Sequence, residues 1–333
     1  MKAKLENFDT RFSMHYDSVL ATTAMLYYKE GLTQNEIALR LGVSRPTVIN
    51  YLRLAREQKI VDIRINGAAF TASTISRELK EKFGLNDVYV GDFAPDPESE
   101  DYNSAVNKHV ARVGAMALHD ILQPGEMVGA AWGETMQFLS EEVPYRIIED
   151  LTVCQLNGSM STSLVSAAES VAIRISSRLG ADCFTLHAPA VLSSPELAEA
   201  LRQEPAIKNQ LEKLRSLDRA IFSVGNCDSE TPMVQMALTS KDEIDWYRDN
   251  GAVGVLCGYF IDPSGQHVKG PVDDRMIGVT LDQVRETKGG ILVAGGRSKF
   301  DAILATLRGG YVSHLVTDDL TARWLLDEAM AAA

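Results

Sequence analysis

The stretch from residue 31 to residue 61 limits the possible folds of this chain more than any other, because it predicts two short helices joined by a tight turn. Thr33 and Glu36 form a capping box, in which each residue satisfies a free backbone N–H of the other at a helix start. Gly42 fits the turn, where glycine adopts positive φ at little cost. Ser44 is placed to cap a second helix, and a proline follows in the first turn, where a missing N–H does no harm.

Apolar residues at helical spacing predict that the two helices pack on each other. Ile37, Ala38 and Leu41 share one face of the first helix, and Val48 and Leu52 share one face of the second. This pattern is a helix-turn-helix, whose second helix fits the major groove of DNA. The alternative interpretation is an ordinary helical hairpin with a solvated polar face.

The outward face of the second helix supplies candidate DNA contacts. Arg45 suits guanine and Asn50 suits adenine, which are the pairings that groove geometry favours. Arg53 and Arg56 are better placed to contact phosphates, which position a protein without reading sequence. The predicted DNA-binding residues are Thr33, Gln34, Ser44, Arg45, Thr47, Asn50, Tyr51, Arg53 and Arg56.

Charge is distributed unevenly along the chain. Residues 1–66 hold ten Lys and Arg against seven Asp and Glu, whereas the whole chain has a net charge of −12. The remainder therefore carries −15. A basic module on an acidic body suits a protein that offers DNA one end only, so we do not expect the body to bind nucleic acid.

The length of 333 residues is comfortable for two domains. We expect a helix-turn-helix domain over 1–65 and a larger domain over 66–333. A helix over about 17–30 should precede the motif, and a short strand over 60–67 should follow it.

Beyond that boundary, strand-like and helix-like segments alternate. The pattern predicts strands at 88–90, 127–132, 151–156, 183–186, 220–224, 291–294 and 314–316. It predicts helices over 103–122, from 134, and over 164–179, 195–215 and 299–308, with a solvated loop at 92–101. Such alternation indicates an α/β fold with a mainly parallel sheet covered by helices on both faces.

Composition narrows the protein class further. No apolar run approaches the ~20 residues that span a bilayer, and the first residues lack the apolar region of a signal peptide. The four cysteines, Cys154, Cys183, Cys227 and Cys257, lie far apart within apolar stretches, which predicts buried, reduced thiols. The histidines form no close pairs. We therefore expect a cytoplasmic protein with no membrane partner, no metal site and no cofactor.

Three loops of small residues follow predicted strands, where ligands bind in α/β sheets. Residues 132–135 read Trp-Gly-Glu-Thr, residues 157–163 carry four hydroxyls, and residues 294–299 combine two glycines with a lysine. Together these loops suit a small anionic or hydroxyl-rich ligand. Each one alone fits an ordinary strand-to-helix connection equally well.

The whole chain resembles the SorC/DeoR-type family of bacterial transcriptional regulators, the sorbitol-operon regulators. The resemblance extends nearly end to end and is carried by residues 28–38, 132–135, 155–158, 257–265, 277–284, 294–299, 308–311 and 315–319.

The resemblance implies an effector domain related in fold to sugar-phosphate isomerases, a sugar, polyol or sugar-phosphate effector, a homotetramer and control of a carbohydrate-catabolic operon. It also implies that Asp262 faces the sugar hydroxyls. With the hydroxyl-rich loop included, the candidate effector-binding residues are Gly133, Thr135, Asn157, Gly158, Ser159, Asp262, Gly295, Gly296 and Lys299.

Glu134 bears on the choice of effector, because it places a negative charge in a loop that would otherwise suit a phosphate. If its side chain points away, a phosphate remains acceptable. If it faces the ligand, the sequence favours an unphosphorylated sugar or polyol.

The sequence favours a ligand-responsive regulator, which would repress or activate depending on where its operator lies. Two other functions are possible, an enzyme and an architectural DNA binder. A sugar-phosphate isomerase or deaminase would use Asp262, Asp273 or Asp274 as its base and Lys299 to hold phosphate. The DNA-binding module argues against an enzyme, as does the absence of a paired histidine and carboxylate beside the loops. A purely architectural DNA binder is disfavoured by the glycine loops. The sequence thus predicts a regulator with no catalytic residues.

Overall fold

The computed structural model describes residues 18–58, 60–61, 73–92, 101–160, 168–228 and 231–331. The chain divides into two compact units, Met1–Ile65 and Asn66–Ala333. The strand predicted at 60–67 and the loop predicted at 92–101 fall mostly outside the described residues. Within the described part of the chain, no helix is both long and apolar enough to cross a bilayer.

The smaller unit contains the predicted helix-turn-helix. Residues 18–24 are helical and continue as a π-helical turn, Met25–Lys29. The helices Gln34–Leu41 and Arg45–Glu57 follow, joined through Gly42 at φ 67°. The capping box between Thr33 and Glu36 is formed, and the Ser44 hydroxyl accepts a hydrogen bond from the Thr47 N–H. Both local predictions are confirmed, and a small apolar core made mainly by the two helices is buried between them.

The larger unit has ten described strands and a set of helices around them. The strands are β1 Asp87–Gly91, β2 Met127–Ala130, β3 Thr152–Gln155, β4 Asp182–Phe184, β5 Arg219–Phe222, β6 Val224–Gly225, β7 Gly254–Leu256, β8 Tyr259–Ile261, β9 Gly289–Val293 and β10 His314–Asp318. The α-helices are Thr74–Phe83, Tyr102–Ile121, Glu134–Glu142, Ala168–Leu179, Pro195–Gln203, Pro205–Lys213, Pro232–Gln235, Lys241–Asp249, Leu281–Glu286, Phe300–Arg308 and Asp319–Ala331. Short 3₁₀ turns occupy Leu214–Ser216, Asp273–Arg275 and Arg297–Lys299.

Seven strands form one sheet in the order β1-β10-β9-β5-β2-β3-β4, and every neighbouring pair is parallel. Alternate residues of a strand pack in two separate hydrophobic clusters. Val88 belongs to one cluster and Tyr89 to the other. Because successive side chains of a strand point to opposite faces, both faces of the sheet are covered. The predicted parallel α/β architecture is confirmed.

Strand order creates a switch point at the centre of this sheet. From β2 the chain proceeds outward to β3 and β4, whereas β5 lies on the other side of β2 and leads towards β9 and β10. The connections after β2 and β5 therefore diverge. In open α/β sheets, ligands bind beyond the carboxyl ends of strands at such a point.

The structure has several helices that were not predicted, and three further features depart from the predictions. A small antiparallel sheet, β6-β7-β8, was not predicted, because its strands are too short to show a period of two. The single helix predicted at 195–215 is broken at Pro205, which lacks an N–H and holds Glu204 at φ −59°, ψ 128°. The prediction of a buried thiol is wrong for Cys183, which is exposed on the edge strand β4, whereas the other three cysteines are buried.

Candidate functional site

A cavity of about 210 Å³ lies at the switch point. Residues 131–135, which follow β2, line it together with Ser223, which follows β5. The turn after β9 contributes Lys299, and the small sheet adds an apolar wall through Val224 and Val255. Three loops that are distant in sequence thus meet because their strands are neighbours.

Lys299 is held in this cavity by uncharged partners. Its Nζ donates to Asn107 Oδ1 at 2.8 Å and to Thr135 Oγ1 at 3.1 Å. The Thr135 hydroxyl in turn donates to Asn107 Oδ1 at 3.0 Å. Since an ammonium has three donors, one N–H of Lys299 remains available to a ligand.

Burial lowers the pKa of Lys299 to about 8, and the nearby Glu134 carboxylate opposes this change. No carboxylate lies within ion-pair distance of its ammonium among the described residues. Lys299 is therefore a mostly protonated cation at neutral pH that lacks a direct counter-ion.

Glu134 is among the residues that line the cavity, and its carboxylate is turned towards Asn107, which lines the cavity as well. Its carboxylate accepts a hydrogen bond from Asn107 Nδ2 at 2.7 Å and one from the Ser104 hydroxyl at 3.3 Å. The single amide of Asn107 thereby holds the cation of Lys299 on its oxygen and the anion of Glu134 on its nitrogen.

Unsatisfied polar groups also mark this cavity. Gly133 starts the helix Glu134–Glu142 at φ 119°, with no side-chain cap. The first hydrogen bond of this helix is the one that the Gln137 backbone N–H donates to the Gly133 carbonyl. The Ser223 Oγ is buried and has no hydrogen-bond partner among the described residues. A ligand with several oxygens would satisfy these groups.

Of the nine predicted effector-binding residues, Gly133, Thr135 and Lys299 line the cavity. The two glycines after β9 do not line it and have structural roles instead. The Gly296 N–H donates to Asp318 Oδ2 at 3.2 Å and to Thr321 Oγ1 at 2.8 Å. A Cβ on Gly295 would lie 2.2 Å from Asp318 Oδ2, so only glycine fits there without a shift.

The described residues of the hydroxyl-rich loop, 157–160, include three predicted site residues that make internal contacts. Asn157 is fully buried, and its Nδ2 donates to the Cys257 carbonyl at 2.8 Å. Gly158 packs against the backbone of Pro189, and the Ser159 hydroxyl donates to Glu169. Residues 161–167 of the loop lie outside the described part of the chain.

Asp262 does not line this cavity, and its role towards a sugar stays a prediction. Its Oδ1 accepts hydrogen bonds from the Ser264 N–H at 2.9 Å, the Ser264 hydroxyl at 2.7 Å and the Gln266 N–H at 2.8 Å. The carboxylate thus closes the turn that follows β8.

The aspartates that an enzyme would use as its base lie away from the cavity. The Asp273 carboxylate bonds to His267 and accepts from the Tyr247 hydroxyl at 2.7 Å, which is a pairing that the sequence analysis missed. None of Asp262, Asp273 and Asp274 lines the cavity that holds Lys299.

Sequence analysis also missed Asn107 and Ser223. Asn107 is 5% exposed and lies among buried valines of the helix Tyr102–Ile121. A polar amide at a position where the helix pattern requires an apolar residue could have indicated a functional role for Asn107. Ser223 lies within the apolar run 220–224 and had no distinguishing pattern.

Six of the predicted DNA contacts are exposed on the helix-turn-helix: Thr33, Ser44, Arg45, Asn50, Arg53 and Arg56. Arg45 Nε donates to Gln34 Oε1 at 3.2 Å, whereas Arg53 donates to Glu57 at 2.6 Å. The hydroxyls of Thr33 and Ser44 are engaged in capping their helices, and Thr47 is a partner of the Ser44 hydroxyl. Tyr51 does not project fully outward, because it packs against a small apolar cluster around Leu20.

Comparison with known proteins gives consistent matches. Residues 68–327 match the family model described as "Putative sugar-binding domain", and residues 21–74 match one described as "ParB HTH domain". The chain is 35% identical over 329 residues to the transcriptional regulator YjhU of Escherichia coli (strain K12), covering 97% of this chain and 98% of that protein. It is 30% identical to the deoxyribonucleoside regulator of Bacillus subtilis (strain 168), covering 92% and 96% respectively.

A solved structure gives the same result. The crystal structure of the full-length sorbitol operon regulator SorC from Klebsiella pneumoniae matches with a TM-score of 0.74 at 27% identity, covering 93% of this chain and 98% of that one. These proteins are named as regulators and not as enzymes. The chain therefore belongs to the family of transcriptional regulators with a sugar-binding domain that includes the sorbitol operon regulator SorC.

Proposed function

We propose that this protein binds an operator through its helix-turn-helix and that a carbohydrate-class ligand in the cavity changes its affinity for that DNA. The observation that carries the proposal is the ammonium of Lys299, held with one free donor in a cavity at the switch point of the sheet. Ligand sites of this fold class occur at that point.

The DNA-binding half of the proposal rests on the exposed face of the helix Arg45–Glu57. Arg45 and Asn50 are exposed near its N-terminal end, where such helices meet base edges. Arg53 and Arg56 extend the exposed basic face along the same helix, in reach of phosphates.

The names of the relatives support a carbohydrate ligand, because one is a deoxyribonucleoside regulator and another a sorbitol operon regulator. We propose a cytoplasmic regulator of a carbohydrate-catabolic operon that works as a homo-oligomer, most simply a tetramer. Ligand binding would then act by changing how subunits present their recognition helices to two half-sites.

The test uses an operator selected from random duplexes with the full-length protein, followed by fluorescence anisotropy with and without a panel of sugars, polyols and sugar phosphates. At least one compound should change operator affinity of the wild type. Lys299→Met should keep operator affinity but lose the response, because the lysine belongs to the other unit. Lys269→Met, at an exposed lysine, is the matched control. A full response in Lys299→Met would contradict the assigned site.

A further inference from the structure

The cavity has balanced charge. Among the described residues that line it, Lys299 and Glu134 are the charged side chains, one positive and one negative. Cys257 also lines it, but burial raises the pKa of that thiol to about 12, so the thiol is neutral. The side chains that line the cavity therefore carry no net charge.

Both charged groups keep hydrogen-bonding capacity for a ligand. Lys299 uses two of its three donors on Asn107 and Thr135. The Glu134 carboxylate accepts one hydrogen bond on each oxygen, from Ser104 and from Asn107, and a carboxylate has about four acceptor positions. A ligand hydroxyl can accept from Lys299 and another can donate to Glu134.

We propose that the ligand is uncharged and rich in hydroxyls, that is, an unphosphorylated sugar or polyol, and that Glu134 selects against phosphate esters. The inference rests on the proposed function. A phosphate monoester carries a charge of about −1.5 to −2 near neutral pH, and Glu134 would repel it. The apolar wall that includes Trp132 and Met233 suits the C–H faces of a sugar better than a phosphate.

Inorganic phosphate is the probe for this charge selection, because it requires no knowledge of the natural ligand. Calorimetric titration in phosphate-free buffer at pH 7 and fixed ionic strength compares the wild type with Glu134→Gln. The variant should bind phosphate at least about tenfold more tightly, since one acceptor charge is removed and the amide adds a donor. Adding Lys299→Met to Glu134→Gln should abolish the gain, which locates the phosphate in the cavity.

The control is Glu142→Gln, at the far end of the same helix, which should behave as the wild type. Equal phosphate affinity in the wild type and Glu134→Gln would overturn the inference. So would tighter binding of ribose 5-phosphate than ribose, or of glucitol 6-phosphate than glucitol, to the wild type. These titrations contain no DNA. They can therefore contradict selection against phosphate while ligand control of operator binding still holds, and they can support that selection even if no ligand changes operator binding.

A second observation concerns the recognition helix and is independent of the cavity. Ile49 is 46% exposed on the helix Arg45–Glu57, whose buried side is formed by Val48 and Leu52. Arg45 and Arg53 lie one turn before and one turn after it, on the same face. An apolar side chain therefore lies between two arginines on the face that is proposed to meet DNA.

We infer that Ile49 contacts the 5-methyl group of a thymine. Apolar contact with this methyl is the way that an aliphatic side chain reads a base edge in the major groove. Arginines on either side would fix the helix on the phosphates or on neighbouring bases, and Ile49 would then discriminate thymine from cytosine and from uracil.

The test replaces each thymine of the selected operator by uracil, which removes only the methyl group. At one position or more, wild-type affinity should fall about fourfold, the effect of exposing one buried methyl. Ile49→Ala should bind the two forms of that site equally. Leu39→Ala, at a leucine 85% exposed on the preceding helix, should retain the wild-type sensitivity. No uracil effect in the wild type, or an undiminished effect in Ile49→Ala, would overturn the inference.

Discussion

Lys299 is a residue whose burial lowers the stability of the folded protein. The folded protein holds its ammonium among uncharged partners and lowers its pKa from 10.5 to about 8, chiefly through burial. Desolvation penalises the charged form, so at neutral pH this side chain destabilises the folded state. Such a residue is expected at a binding site rather than in a structural core.

At pH 7 we expect the free energy of unfolding of Lys299→Met to exceed that of the wild type by about 1–3 kcal/mol. The variant should therefore unfold at a higher denaturant concentration. The folded pKa lies below the unfolded one, so the unfolded state binds more protons between pH 8 and pH 10.5. Wild-type stability should therefore rise through that interval and the advantage of the variant should shrink. Urea unfolding at pH 7, 8, 9 and 10 checks this, with Lys269→Met as the exposed control. A less stable Lys299→Met at pH 7 would contradict the explanation.

We expect different residues on the exposed face of the helix Arg45–Glu57 to read bases and to bind the DNA backbone. We expect Arg45→Ala or Asn50→Ala to cost about 1–3 kcal/mol at the selected operator and to relax base preference. Arg56→Ala should instead weaken all sequences alike and reduce the dependence on salt. Anisotropy titrations at several salt concentrations distinguish the two behaviours. Wild-type affinity in both Arg45→Ala and Asn50→Ala would show that a different part of the helix meets the bases.

At the scale of elements, the carboxyl end of β10 holds the loop that presents Lys299. Asp318 is 1% exposed, and its Oδ2 accepts from the Gly296 N–H and from the Thr321 hydroxyl. Its Oδ1 accepts from the Thr321 N–H at 3.0 Å. One side chain therefore joins β10, the turn after β9 and the start of the helix Asp319–Ala331. We regard Asp318 as a positioning residue for Lys299.

Asp318→Asn should destabilise the protein by about 2–4 kcal/mol, because an amide nitrogen would face N–H and O–H donors that the carboxylate satisfied. Ligand response should weaken as the turn carrying Lys299 shifts. Thermal or urea unfolding measures the first effect and anisotropy the second. Asp319→Asn is the adjacent control: its pair with Arg323 is partly exposed, and its loss should cost under about 1 kcal/mol. Equal effects of the two substitutions would refute the positioning role.

At the scale of the whole molecule, one helix-turn-helix makes too few contacts for a specific site. Such modules act in pairs on half-sites about 34–36 Å apart or a multiple of that distance. We therefore expect a homo-oligomer, assembled through the larger unit. Multi-angle light scattering of the full-length chain at micromolar concentration, alone and with operator, should report at least a dimer. A monomer under both conditions would contradict the proposal for assembly.

The helix-turn-helix could be recognised from the sequence because its determinants are local. The contacts that define it, Thr33 to Glu36 and Ser44 to Thr47, join residues three apart. The strands of the parallel sheet were also recognisable, because burial on both faces requires continuous apolar runs. Local hydrogen bonding and local hydrophobicity therefore determined both units of the fold.

The site depended on contacts that no local pattern contains. Strand order alone decided that the loops after β2, β5 and β9 converge, and it brought Asn107 to Lys299 across 192 residues of chain. Tertiary hydrogen bonds also engage the Gly296 N–H, which donates to Asp318 of β10, and the Asn157 Nδ2, which donates to the Cys257 carbonyl. The sequence thus determined which loops could hold a ligand. Only the packing of the sheet decided which of their groups remained unsatisfied and therefore able to bind one.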